Sequence, residues 1–127
     1  MIRVLVDTDV LIEHLRGRPP VAGQYRALFG RGVTVFYSPV AKAEFYAGIR
    51  KGEEDVTGTL FRIMELVLID DKVGEKAGEY MRKYRASHNV QLGDALQAAC
   101  AFAFQVPLWT LNRKHYPMKD IELYGAP

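Results

Sequence analysis

Asp7, Glu44 and Asp94 are the residues of this chain whose types and surroundings point most directly to chemistry. Asp7 and, two positions on, Asp9 stand where the apolar run Ile2-Arg3-Val4-Leu5-Val6 gives way to the helical pattern Val10-Leu11-Ile12-Glu13-His14-Leu15. Glu44 shares a helical face with Val40, Ala43 and Ala47. A carboxylate on such a stripe is exposed after all, paired with a cation, or bound to a metal, because burying it alone is costly. Asp94 opens the helix Gly93-Asp94-Ala95-Leu96-Gln97-Ala98-Ala99, and Asn112 closes the run Thr110-Leu111-Asn112. Gathered at one place without histidine or cysteine, Asp7, Glu44 and Asp94 make a hard oxygen site suited to Mg²⁺ or Mn²⁺. Such carboxylates cannot all stay ionised side by side without a cation. An ion there can activate water and neutralise charge on a phosphodiester.

Each residue also has a plainer role open to it. Asp7 and Asp9 serve as turn and cap residues, with Thr8 or Asp9 able to cap the helix that follows. Glu44 can be an exposed helical acid, with Phe45 and Ile49 forming a rival apolar face. Asp94 suits a helix first turn on electrostatic grounds alone. Asn112 is an ordinary strand-end turn residue.

What decides between these roles is the scaffold. Val4-Leu5-Val6 is short and β-branched, as a strand covered on both faces should be. Val33–Tyr37, Val67–Ile69 and Leu108–Leu111 read as further strands, with a last short one around Ile121–Leu123. Helices are expected after Thr8, from Val21 to Phe29, from Ser38-Pro39 to about Arg50, and from Glu53 with a stripe of Val56, Leu60, Ile63, Met64 and Val67. Two more run from Val73 to about Ser87 and over residues 91–105. Strands alternating with helices predict an α/β sandwich of layers with a mainly parallel sheet. Ligands of such sheets bind beyond the carboxyl ends of the strands. If the strands ending at Asp7 and Thr110 are neighbours, both deliver polar groups to one edge, and helices starting there bring Asp94 beside them.

The chain of 127 residues, with a formal charge of +2, is expected to form one domain over residues 1–127 and permits a nucleic-acid partner without demanding one. Cys100 is the single cysteine, which excludes an internal disulfide and a cysteine metal centre. No apolar run reaches membrane-spanning length and no signal peptide is visible, so a cytoplasmic, non-membrane protein is expected.

Four motifs in order carry a family resemblance: Val4-Leu5-Val6-Asp7-Thr8-Asp9-Val10-Leu11-Ile12, Ser38-Pro39-Val40-Ala41-Lys42-Ala43-Glu44-Phe45-Tyr46-Ala47-Gly48, Asp94-Ala95-Leu96-Gln97-Ala98-Ala99, and Thr110-Leu111-Asn112. Across essentially its whole length the chain resembles the PIN-domain ribonucleases, in particular the VapC-type toxins of toxin–antitoxin pairs. The resemblance implies a PIN-like three-layer α/β sandwich, with Asp7, Glu44 and Asp94 as metal ligands and catalytic acids, joined by Asn112. It assigns Thr8, Asp9 and Thr110 supporting roles. It also implies Mg²⁺- or Mn²⁺-dependent cleavage of RNA, homodimerisation, and inhibition by a small antitoxin protein. Family members often carry one more acid where this chain has Asn112 or His115. Arg113, Lys114 and His115 are candidates for contacts to RNA phosphates, or else a solvated basic turn.

Two rival functions remain. Asp7-Thr8-Asp9-Val10-Leu11 also fits the haloacid-dehalogenase-like phosphohydrolases, with Asp7 as nucleophile and Asp9 as acid, although a later acidic pair after a glycine is missing and the chain is short. The absent extra acid motivates the other rival, a PIN-like module that binds RNA or protein without cutting.

Overall fold

Four residues of the first strand, β1 (Arg3–Val6), display the layering of the whole molecule. Successive side chains of a strand point to opposite faces. Here Leu5 enters one hydrophobic core, and Val4 and Val6 enter another. A strand so buried on both sides needs helices over each face. The computed structural model describes residues 2–125 and supplies them.

Three further strands, β2 (Thr34–Tyr37), β3 (Glu65–Leu66) and β4 (Leu108–Trp109), complete a sheet of order β3-β2-β1-β4. Its ladders are all parallel, with Val4 opposite Val35 and Val6 opposite Trp109. Over one face lie α1 (Thr8–Leu15), α2 (Val21–Gly30), α3 (Pro39–Ala47) and α4 (Glu54–Arg62). They contribute Val10, Leu11, Tyr25, Leu28, Phe45, Leu60 and Phe61 to the core that holds Val4 and Val6. Over the other lie α5 (Asp71–His88) and α6 (Leu92–Phe104), which bring Val73, Ala77, Tyr80, Ala95, Ala98 and Ala99 against Leu5 and Leu108. Each buried Val or Leu contributes about 1.5–3 kcal/mol, so β1 is held chiefly by what covers it. The alanines of α6 let that helix come close to its neighbours, and Cys100 among them is fully buried, a small core residue as its surroundings predict.

Helix starts follow local chemistry. Ser38 Oγ accepts from Ala41 N at 3.2 Å and Asp70 Oδ1 from Val73 N at 2.9 Å, capping α3 and α5. Asn89 ends α5 with φ 52°, a left-handed conformation that asparagine tolerates better than most residues. Among the described residues, no helix is long and apolar enough to cross a membrane.

The structure corrects several boundaries. Asp7, not Thr8 or Asp9, is the N-cap of α1. The third helix stops at Ala47, where Gly48 caps it, short of Arg50. In α4 the buried residues are Thr57, Leu60 and Phe61, while Val56 and Ile63 are exposed. The chain leaves that helix after Arg62, so residues beyond it no longer follow its face. β3 therefore begins at Glu65, two positions before Val67–Ile69, pairing Phe36 with Glu65. The last expected strand is reduced to one bridge, Leu108 with Leu123.

Candidate active site

The parallel pairing of β1 with β4 sets the site. Asp7 N donates to Trp109 O at 2.9 Å, which places the residue after each strand, Asp7 and Thr110, side by side. Asp7 is 8% exposed, and both its oxygens are occupied by donors. Oδ1 accepts from Thr8 N at 2.8 Å and from Gln97 Nε2 at 3.1 Å. Oδ2 accepts from Thr110 Oγ1 and from the Tyr116 hydroxyl, both at 2.9 Å. Hydrogen bonds to an ionised acceptor are the stronger kind, so Asp7 is fixed in orientation.

Asp9, in the first turn of α1, lies beside the Thr110 hydroxyl. Its Oδ2 accepts from Leu111 N at 3.0 Å and lies 3.4 Å from Thr110 Oγ1, while its Oδ1 is buried and accepts no hydrogen bond. Burial, and then the charge of Asp7, push the Asp9 carboxyl from 3.8 up to about 6, against the opposing pull of the Leu111 and Val10 amides. Burial and the charges of Asp7 and Asp94 likewise hold the Tyr116 hydroxyl protonated, so it serves as a donor.

Glu44 is exposed on α3, the simpler of its two expected placements, yet it faces the site. Thr8 Oγ1 donates to its Oε1 at 2.7 Å. Its carboxylate also lies over Gly93, where a β-carbon would stand 3.4 Å from Oε2. Asp94 follows Gly93. Its Oδ2 accepts from Gln91 N at 3.0 Å and lies 3.4 Å from His115 Nδ1, which in turn is 2.9 Å from Asn112 Nδ2. Asn112 N donates to Thr110 Oγ1 at 3.1 Å. Arg113 and Lys114 are exposed on the short 3-10 turn Arg113–His115, whereas the His115 ring turns inward.

Gln97, Ser38 and Tyr116 are site residues that the sequence reading did not single out as such. Ser38 Oγ donates to Gln97 Oε1, and Gln97 hands the interaction on to Asp7, all three side chains being buried. Gln97 had a signal: it is the polar residue three positions after Asp94 in an alanine-rich helix, and therefore on the same face. Tyr116 had none beyond its place after the basic turn.

Among the described residues, no three His, Cys, Asp or Glu side chains converge as a ready-made ion cage. The donor set nevertheless suits a divalent ion. Asp7, Asp9, Glu44 and Asp94 form no ion pair with Lys or Arg among the described residues, and one Asp9 oxygen is buried without a partner. Oxygen donors of this kind match Mg²⁺ and Mn²⁺.

Comparison with known proteins decides the family, because the PIN-domain model matches residues 4–120, a span that includes every acid named above. The chain belongs to the PIN-domain family. Over 116 residues this PIN domain is 37% identical to Ribonuclease VapC10 of Mycobacterium tuberculosis, covering 91% of the chain and 86% of the relative. It is 31% identical over 115 residues to Ribonuclease VapC19 of the same organism, covering 90% and 92%. Among solved structures, VapBC-1 from nontypeable Haemophilus influenzae superposes with a TM-score of 0.78 at 15% identity, over 97% of both chains. A VapBC2 structure from Rickettsia felis, bound to a promoter DNA fragment, gives 0.77 at 20% identity, over 97% of this chain and 98% of its own. These two establish the fold. With the family assigned, the haloacid-dehalogenase-like alternative for Asp7 and Asp9 is set aside.

Proposed function

We propose that this PIN domain, spanning residues 1–127, is the endoribonuclease toxin of a toxin–antitoxin pair, and that a small antitoxin protein restrains it. Its ribonuclease relatives and VapBC neighbours support that reading. The observation that carries the chemistry is the Asp7 carboxylate, locked by four protein donors beside acids that pair with no Lys or Arg among the described residues.

In this reading Asp7, Glu44 and Asp94 hold one or more Mg²⁺ or Mn²⁺ ions. Such an ion, when bound, lowers the pKa of water and neutralises charge on the phosphodiester. Gln97, Thr110 and Tyr116 keep Asp7 aimed at the sheet edge. Thr8 ties Glu44 to the first turn of α1. Asp9 orients the Thr110 hydroxyl and the Leu111 backbone. Asn112 bridges Thr110 to His115, joining the end of β4 to Asp94. Arg113 and Lys114, exposed next to the acids, meet RNA phosphates. Apolar groups on α3, on α4 and at its C-cap, among them Tyr46, Val56 and Ile63, supply the surface of a cytoplasmic homodimer.

The test is RNA cleavage by purified protein freed of any inhibitor. Cleavage is expected with Mg²⁺ or Mn²⁺ only, and is lost in Asp7→Asn and Asp94→Asn variants whose circular dichroism is unchanged. RNA binding without cleavage, across both metals and varied RNAs, would show instead a non-cleaving PIN-like module.

A further inference from the structure

Across α3 from the acids lies a cavity of about 310 Å³ whose residues the cleavage chemistry leaves unused. Tyr37 and Phe61 are buried beneath it, their rings 4.8 Å apart at 69°, and Tyr46, 41% exposed, stacks on Phe61 at 5.9 Å and 25°. Lys42 and Arg62 are exposed on its rim, with Lys42 Nζ 5.4 Å from the centre of the Phe61 ring. Neither cation pairs with a carboxylate among the described residues, and no acid lines the cavity.

The cavity opens at the same sheet edge as Asp7. Tyr37 and Leu66, both in its lining, end β2 and β3 and pair with each other in the parallel ladder. Two strand spacings, each about 4.8 Å, separate β3 from β1. On α3, Lys42 and Tyr46 stand four residues apart and share a face, while Glu44 between them turns toward Thr8. One helix thus gives its acid to one side and its cation and aromatic ring to the other.

Gly58 keeps the cavity open. It lies inside α4, where glycine is less stable than alanine, and its backbone is ordinary. A β-carbon there would meet only Arg62 Nη1, at 3.6 Å, so neither packing nor conformation requires the glycine. Val56 and Ile63, seven residues apart, run along a different side of α4 from Gly58 and Arg62, which separates the cavity mouth from that part of the homodimer surface.

We propose that this cavity binds an unpaired nucleotide of the RNA strand, its base stacking on Tyr46 and its phosphate lying between Lys42 and Arg62; this rests on the ribonuclease reading above. Aromatic rings beside basic groups hold single-stranded RNA in this way, and a base inside a duplex has no face free to stack. One strand lying along the sheet edge then reaches both Asp7 and the cavity, so the protein selects RNA that is unpaired next to the cut.

Steady-state cleavage of a single-stranded RNA by the full chain with Mn²⁺, with sedimentation of each variant, tests this. Tyr46→Ala and Gly58→Leu should each raise KM about tenfold, the scale of one lost base stack, while Tyr46→Phe stays within about twofold of wild type. Gly58→Leu replaces a mid-helix glycine and should not lower the melting temperature, so its loss is not one of folding. Lys42→Ala and Arg62→Ala should each flatten the salt dependence of KM by about one phosphate contact. An unchanged KM in Tyr46→Ala and Gly58→Leu, or a salt dependence unmoved by both cation variants, overturns the inference while cleavage by the wild type leaves the ribonuclease reading standing. A rise in KM that goes with loss of the dimer on sedimentation also overturns it, and gives the cavity to a second copy of the chain. A wild type that cleaves no RNA overturns the ribonuclease reading and this inference with it.

Discussion

Gln97 Nε2 donates to Asp7 Oδ1 at 3.1 Å, joining the middle of α6 to the end of β1 across 90 positions of sequence. Because Ser38 donates to the same side chain, one buried amide links the start of α3, the sheet edge and α6. An amide can accept from one neighbour and donate to the other, which a hydroxyl-to-carboxylate relay of this length requires.

Replacing that amide should therefore cost both stability and activity. Gln97→Leu leaves the Ser38 hydroxyl without its acceptor and Asp7 with one donor fewer. The loss is expected at about 1–3 kcal/mol in urea unfolding. Gln97→Glu keeps an acceptor for Ser38 but sets a charge against Asp7, so it should cleave RNA more poorly than Gln97→Leu at neutral pH. Equal activity in the two variants would show that the amide does not orient Asp7.

Asp9 should make the ion-free protein weaker as pH rises. Its carboxyl loses its proton near 6 when folded and near 3.8 otherwise. The folded state thus binds the proton more tightly, and that contribution is whole below pH 3.8 and lost as pH climbs through about 6. Between pH 4 and pH 7 the wild type should lose on the order of 2 kcal/mol more than Asp9→Asn, measured by unfolding in chelator. Parallel pH profiles for the two proteins would contradict the assignment.

Gly93 separates packing from function. A β-carbon there would meet Glu44 Oε2 at 3.4 Å and Val40 Cγ1 at 3.6 Å, contacts that Gly93→Ala can accommodate. Its unfolding free energy should stay level or rise by about 0.4–1 kcal/mol, as for other compatible glycine replacements. Gly93→Val should displace Glu44 and lower cleavage about tenfold or more while the protein still folds. Full activity in Gly93→Val would remove Glu44 from the site.

The parts of this arrangement that were legible in sequence are those with a short-range signature. Val4, Leu5 and Val6 announce a strand buried on both faces, and the parallel sheet it implies brings Thr110 to Asp7 as observed. Ser38 before Pro39 marks a helix start, and α3 begins there. The misread elements are those in which tertiary contact outweighs pattern. Val56 and Ile63 carry apolar side chains yet face outward, because α4 presents Thr57, Leu60 and Phe61 to the sheet. β3 has two exposed residues, Glu65 and Leu66, and is a strand by virtue of its pairing with β2. Tyr116 reaches Asp7 through a turn whose geometry no local motif encodes.

The bridge between Leu108 and Leu123 has a consequence for the borders of the sheet. Leu108 N donates to Glu122 O at 2.9 Å and Leu108 O accepts from Tyr124 N at 2.8 Å, so the outward-facing groups of that residue are already taken by residues 122–124. An unpaired border is a template on which foreign strands can grow. At Leu108 this border is closed from within, so the flank nearest the acids cannot recruit an extended segment there without first displacing residues 122–124.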